Sequence, residues 1–169
     1  MKFVFSLFLS IFLTTHIWAA DINIEQVRIS FTKAVESEEI TNSLLNQLEK
    51  VKNNNPLLLA YYGATQSLVA KHAWNPYTKM DYLAKSQATL QKAITLKPQD
   101  AEMRFLRFSI QYYVPRFLGY SKNLDEDKSV ILKNIDRCPD DVRGVISRFL
   151  IDSGMCTPLE KKQLEIHAS

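Results

Sequence analysis

The chain has 169 residues, of which 46% are hydrophobic and 11% aromatic, and its 21 Lys and Arg against 18 Asp and Glu leave a net charge of +3. That is apolar material for one domain, with a charge too balanced for a nucleic-acid surface or for electrostatic capture by an anionic membrane. With four glycines and no Asn-Gly or Asp-Gly pair, the sequence has little support for β-hairpins.

Residues 1–20 read as an export signal. Lys2 supplies the positive end, Phe3 to Leu13 form an uncharged apolar run, and Ala19-Ala20 place small residues at a cleavage point. The run is about half the roughly 20 residues a membrane span needs. No cysteine follows it to carry a lipid anchor, and no later run is long enough to cross a bilayer. The expectation is an exported domain over residues 21–169, in the periplasm or cell envelope of a bacterium.

The mature part reads as helices. Ile24, Val27, Phe31 and Ala34 are at helical spacing in Asn23 to Val35, although Val27, Ile29 and Phe31 also alternate as in a strand. Ser37 caps a second helix with Glu38 and Glu39 in its first turn and Ile40, Leu44, Leu48 and Val51 as its buried stripe. A third, about Pro56 to Ala73, carries Tyr61, Tyr62 and Leu68 beside the small residues Gly63, Ala64 and Ala70. After the loop Trp74-Asn75-Pro76-Tyr77, a fourth runs to Leu96, with Asn75 and Pro76 as cap and first turn. Asp100 caps a fifth, Ala101 to Val114, apolar on several faces except for the stripe Arg104, Arg107 and Gln111, and stopped by Pro115. Leu124, Ile131, Ile135 and Cys138 mark a sixth, and Val142, Ile146, Phe149 and Leu150 a seventh opened by Pro139-Asp140-Asp141. Thr157-Pro158-Leu159-Glu160 is a capping box that opens an eighth.

All seven tyrosines lie in residues 56–120, with Trp74, Phe105, Phe108 and Phe117. Each aromatic buries on the order of 150–250 Å², so this stretch is expected to dominate the core.

The segment from Leu90 through Ala93 and Pro98 to Glu102 resembles the second half of a tetratricopeptide repeat and the start of the next, and Tyr62-Gly63 matches the Leu/Gly pair of a first helix. The spacing from Gly63 to Ala93 is roughly 11 residues longer than a 34-residue repeat allows, and Arg107-Phe108 stands where the next Leu/Gly pair belongs. The resemblance implies an all-α single domain of antiparallel helical hairpins in a right-handed superhelix that binds a peptide or protein. The mature chain is also similar to a group of small exported bacterial proteins of unassigned function, in its Ala73-Trp74-Asn75-Pro76-Tyr77 loop and its Arg104-Phe105-Leu106-Arg107-Phe108 helix.

Chemistry-bearing patterns are few. The histidines of the mature part, His72 and His167, are far apart, with no paired ligand spacing for zinc. The Asp125-Glu126-Asp127 run lacks the alternate ligands and central glycine of a calcium loop and suits a helix N-terminus. Cys138 and Cys156 flank a helix about 20 Å long, whereas a disulfide needs Cα atoms within about 7 Å, which favours a buried thiol at Cys138. Nucleophile-elbow, phosphate-loop and zinc-protease motifs are missing, so no metal or cofactor is expected. One cluster, His72 with Asp81 and Tyr77, offers the alternative of a small envelope hydrolase with His72 as base.

Recognition is the better reading. Trp74, Asn75, Tyr77, Arg104, Arg107, Gln111, Arg116 and Tyr120 combine flat aromatic faces with guanidinium and amide donors, the residue types enriched in binding hot spots. They predict a non-catalytic module that takes a peptide, protein segment or small ligand in a groove between the third, fourth and fifth helices, with a protein or peptide favoured over a small molecule.

Overall fold

Short polar side chains start most of the helices. In the computed structural model, which describes residues 22–53 and 55–168, Asn23, Ser37, Asn55, Asn75, Asp100 and Thr157 each accept a backbone N–H of the first turn that follows. The leader assigned to residues 1–20 lies outside the described residues. Among those described, the chain forms eight α-helices and no strand. They are α1 (Ile24–Ala34), α2 (Glu38–Val51), α3 (Pro56–His72), α4 (Pro76–Leu96), α5 (Ala101–Tyr113), α6 (Leu124–Asn134), α7 (Asp140–Asp152) and α8 (Pro158–Glu165).

The strand reading of Val27 to Phe31 is not taken up: Val27 and Ala34 are buried on one side of α1. The sixth helix ends earlier than its apolar spacing suggests. At Asn134 the chain tightens into the 3₁₀ turn Ile135–Arg137, and the Asn134 amide donates to Val130 O and to Gln99. A second 3₁₀ turn, Arg116–Leu118, follows Pro115 and is closed by Gly119 at φ 74°, where a side chain would be strained.

Consecutive helices pack as hairpins, α1 with α2, α3 with α4, α5 with α6 and α7 with α8. In addition α1 lies on α3, α3 on α5 and α5 on α7, so the hairpins form a series along their odd-numbered members. Loops of one end (α1–α2, α3–α4, α5–α6) are therefore on the same side. His72 at the C-terminus of α3 reaches the carbonyl of Ala34 at the C-terminus of α1, 3.0 Å away.

Two apolar clusters meet at α5. Met103 and Leu106 join Val27, Leu44, Leu48, Leu59, Tyr61, Leu90 and Ile94 from the first four helices. Phe108 joins Ile131, Ile135, Ile146, Leu150 and Leu164 from the last three. The breadth of α5's apolar surface is thus explained: it is the seam of both cores. The aromatic stretch divides, with Tyr61 and Phe108 buried but Trp74, Tyr77, Tyr113 and Phe117 exposed, so aliphatic residues supply most of the core. Each fully buried Leu or Ile contributes about 1.5–3 kcal/mol.

The tightest crossing is α3 on α4. A Cβ built on Gly63 would stand 3.1 Å from the Leu90 amide nitrogen and 3.1 Å from Thr89 Cβ, so the backbone of α4 would have to move back by a few tenths of an ångström to admit a methyl group. At Gly144 in α7 the nearest atom is 3.4 Å away. Gly63→Ala is expected to destabilise the fold by about 1–3 kcal/mol in urea titration through overpacking, whereas Gly144→Ala is expected to be neutral or stabilising by about 0.5–1 kcal/mol.

Candidate functional site

The polar stripe of α5 is spent inside the protein. Arg107 donates from Nε to Asp127 Oδ2 at 2.7 Å and from Nη2 to Asp127 Oδ1 at 2.6 Å, a two-pronged pair, and its Nη1 donates to Gln91 Oε1 at 2.6 Å. Arg104 donates to Asp127 Oδ1 at 2.8 Å, to Glu126 Oε1 at 2.6 Å and to the Pro98 carbonyl at 2.9 Å. The Gln111 amide donates to Gln87 and Asn123, and its Oε1 accepts the Asn123 N–H at 3.0 Å. Asp127 is fully buried and both arginines nearly so. The sequence-predicted groove therefore loses three of its eight members, Arg104, Arg107 and Gln111, to a polar seam that ties α4, α5 and α6. Burial opposes the charge on Arg104, but hydrogen bonds to Asp127 and Glu126 outweigh it and raise its pKa.

Glu102 makes a second buried site. Its carboxylate accepts from Arg28 Nε and Nη2, both at 2.7 Å, and from the Tyr61 hydroxyl at 2.8 Å. The hydrogen bond to Glu102 holds Arg28 above the usual guanidinium range, and burial pushes the Tyr61 phenol upward. Arg28 and Glu102 line a cleft of about 500 Å³ at the start of α5, whose wall also includes Lys97, Arg137 and Cys138.

The other predicted residues are outside. Trp74 is 97% exposed and Tyr77 86%, at the tip of the α3–α4 hairpin. The tip is held by local chemistry: the exposed Asn75 accepts the Tyr77 N–H at 2.8 Å, Pro76 occupies the first turn, and the Lys79 ammonium donates to the last carbonyls of α3 at Ala70 and Lys71. Arg116 is exposed on the 3₁₀ turn after α5, Tyr120 is half-buried nearby, and Arg116 lines a cavity of about 330 Å³ with Ser121, Lys122 and Asp125. Sequence reasoning overlooked Tyr113, 74% exposed, and Phe117, 86% exposed, which flank Arg116. Their signal was the proline stop at Pro115, which ends α5 before those rings can be covered.

The hydrolase cluster is not assembled as its chemistry requires. His72 Nε2 is 3.0 Å from the Ala34 carbonyl oxygen, and Asp81 accepts from Lys85 at 2.7 Å rather than orienting His72. Among the described residues, no group of three or more His, Cys, Asp or Glu is placed to hold a metal ion, and no helix is long and apolar enough to cross a membrane. Both cysteines are free thiols, and the buried one is Cys156, with Cys138 half-buried at the cleft. Burial pushes the Cys138 thiol up to about 11, so it is protonated at neutral pH.

Comparison with protein-family models, with curated proteins and with solved structures finds no match to this chain.

Glu126 links the seam to solvent. Its hydrogen bond from Arg104 lowers its pKa, so its contribution to stability is present above the ordinary carboxylate value and is lost as pH falls through the lowered one. Because more than half of that side chain is exposed, the effect is screened. Urea midpoints measured from pH 6 down to pH 3 are expected to fall, and Glu126→Gln is expected to remove a small part of that slope.

Proposed function

We propose that this chain is an exported, non-catalytic binding module built from tetratricopeptide-like helical hairpins, and that it recognises a peptide or protein segment. The observation that carries the reading is the exposure of Trp74, Tyr77, Tyr113 and Phe117 on ordered helix ends, at the side of the molecule where the α3–α4 and α5–α6 loops lie. Large aromatic side chains left in water on a rigid support are the residue type that anchors interfaces: they bury much area for little side-chain entropy. Asn75 belongs to the same tip, and Arg116 supplies a cation three residues beyond the end of α5.

Arg104, Arg107 and Gln111 have a different role in this reading. Their donors are committed to Asp127, Glu126, Gln91, Gln87 and Asn123, so they set the support and make no ligand contact. The serial packing of α1, α3, α5 and α7 supports the hairpin-repeat comparison, as does the placement of Pro98 at the α4–α5 turn.

The test separates the two sets of residues. Trp74→Ala with Tyr77→Ala is expected to weaken capture of an envelope partner in quantitative pull-down by at least about tenfold, with an unchanged thermal midpoint. Arg107→Ala is expected to lower the midpoint itself. Partner recovery that is indifferent to the aromatic pair contradicts the reading.

A further inference from the structure

The face of α4 that meets α5 continues past the point where α5 stops. Gln91 and Gln87 point at α5, since they accept from Arg107 and Gln111. Counting back along the same stripe at helical spacing gives Ala84, Met80 and Pro76. All three are exposed. α5 ends at Tyr113, because Val114 is extended at φ −75°, ψ 131° ahead of Pro115. The length of α4 from Gln87 back to Pro76 is about 16 Å at 1.5 Å per residue, or about three turns with no neighbour on that side. On α3 the stripe Ala60, Ala64, Ser67 and Lys71 passes from buried to half-buried to exposed along the same direction. The two helices thus form a shelf above the end of α5, walled by Ser67, Met80 and Ala84.

We propose that this shelf receives an amphipathic, acidic helical segment of a partner protein, about three turns long and laid in line with α5. The inference rests on the binding-module reading and names its partner class. Continuity with the α4–α5 packing favours a helix as the occupant. Ala84 and Ser67 are small enough for close approach, and Met80 adapts to an irregular apolar face. An extended peptide has no sheet edge to join here, and its backbone N–H and C=O groups would lie unpaired against an apolar wall, whereas a helix satisfies its own. The charge follows from the loop after α5, at the level where that helix stops: Arg116 and Lys122 border one cavity there with Asp125, two cations against one carboxylate, and neither cation has a carboxylate within ion-pair distance among the described residues. The shelf stripe from Pro76 through Met80 to Ala84 carries no charge of its own.

The test selects a phage-displayed library of helix-forming 12-residue peptides against the purified protein, then measures fluorescein-labelled synthetic copies of the enriched sequences by anisotropy. Enriched peptides are expected to carry apolar residues at i, i+3, i+4 and i+7 with Asp or Glu beside them. Their affinity is expected to fall by at least about tenfold in Ala84→Arg and by about threefold in Arg116→Ala with Lys122→Ala, at unchanged helicity. Should Ala84→Arg lose helicity, Met80→Asp gives the same readout from the neighbouring turn. Peptides that tolerate both shelf variants but are lost in Trp74→Ala with Tyr77→Ala overturn the shelf and leave the binding-module reading standing. A selection without binders overturns both. A dimer in light scattering that Ala84→Arg dissociates, or Trp74-dependent sedimentation with phosphatidylglycerol vesicles, overturns the proposed partner in favour of a second copy or a lipid surface.

Discussion

A single carboxylate, that of Asp127, is enclosed between the guanidinium groups of Arg104 and Arg107, with no exposure to water. An ionised group removed from water in this way is tolerable only if its partners are fixed and its hydrogen bonds complete. Both of its oxygens are engaged, and Gln91, Glu126 and the Pro98 carbonyl take up the remaining guanidinium donors of the pair that face inward. The register of α6 on α5 follows, because sliding either helix by one residue would strand at least one buried charge. That constraint matters most where it sits. Among the described residues, α5 is the only helix shared by the two apolar clusters, so whatever fixes α5 fixes the two halves they make.

The same constraint decides which residues remain for recognition. Guanidinium groups committed to a buried aspartate are not available to a ligand, and withdrawing one would leave the other charges uncompensated. In the proposed binding-module reading, the contact surface lies where helix ends leave side chains in water. Trp74 and Tyr77 stand on a hairpin tip stiffened by Asn75, Pro76 and Lys79, while Tyr113 and Phe117 bracket the proline that stops α5. Because α5, with 13 residues, is shorter than α4, with 21, the taller hairpin keeps an uncovered flank. Unequal helix lengths in a series of hairpins thus create both the protruding tip and the shelf beside it.

Local chemistry made the helices legible from the sequence. Cap residues such as Ser37, Asn75 and Asp100, and the Thr157 to Glu160 capping box, act within one turn, so each could be read without knowing the fold. The stripe on α5 could not. Arg104, Arg107 and Gln111 were correctly placed on one face, but whether that face meets solvent or another helix depends on α6, and the charges that answer them lie about 20 residues on. A signal for the pairing was present: Asn123 and Asp127 are four apart, matching Gln111 and Arg107, also four apart, on an antiparallel neighbour. The aromatic rings misled in the other direction. Apolarity alone predicted that they would form the core, whereas Leu and Ile fill it, and the rings nearest the proline-containing turns are those left outside. Both cysteines are free thiols, as helix geometry favoured, but the buried one is Cys156 and not the expected Cys138, which is half-buried.

Arg107 and Asp127 stabilise the fold as a pair. A double-mutant cycle in urea, with Arg107→Ala, Asp127→Ala and both together, measures that directly. The expected result is a cost of about 3–5 kcal/mol for each single variant, since Asp127→Ala leaves the buried Arg107 without a carboxylate and Arg107→Ala leaves Asp127 to Arg104 alone with Oδ2 unpaired, and a coupling of about 1–3 kcal/mol in the double variant. Two small, additive effects, within about 0.5 kcal/mol of independence, would show that the arginine is not locked in the interior and would return it to the surface available for a ligand.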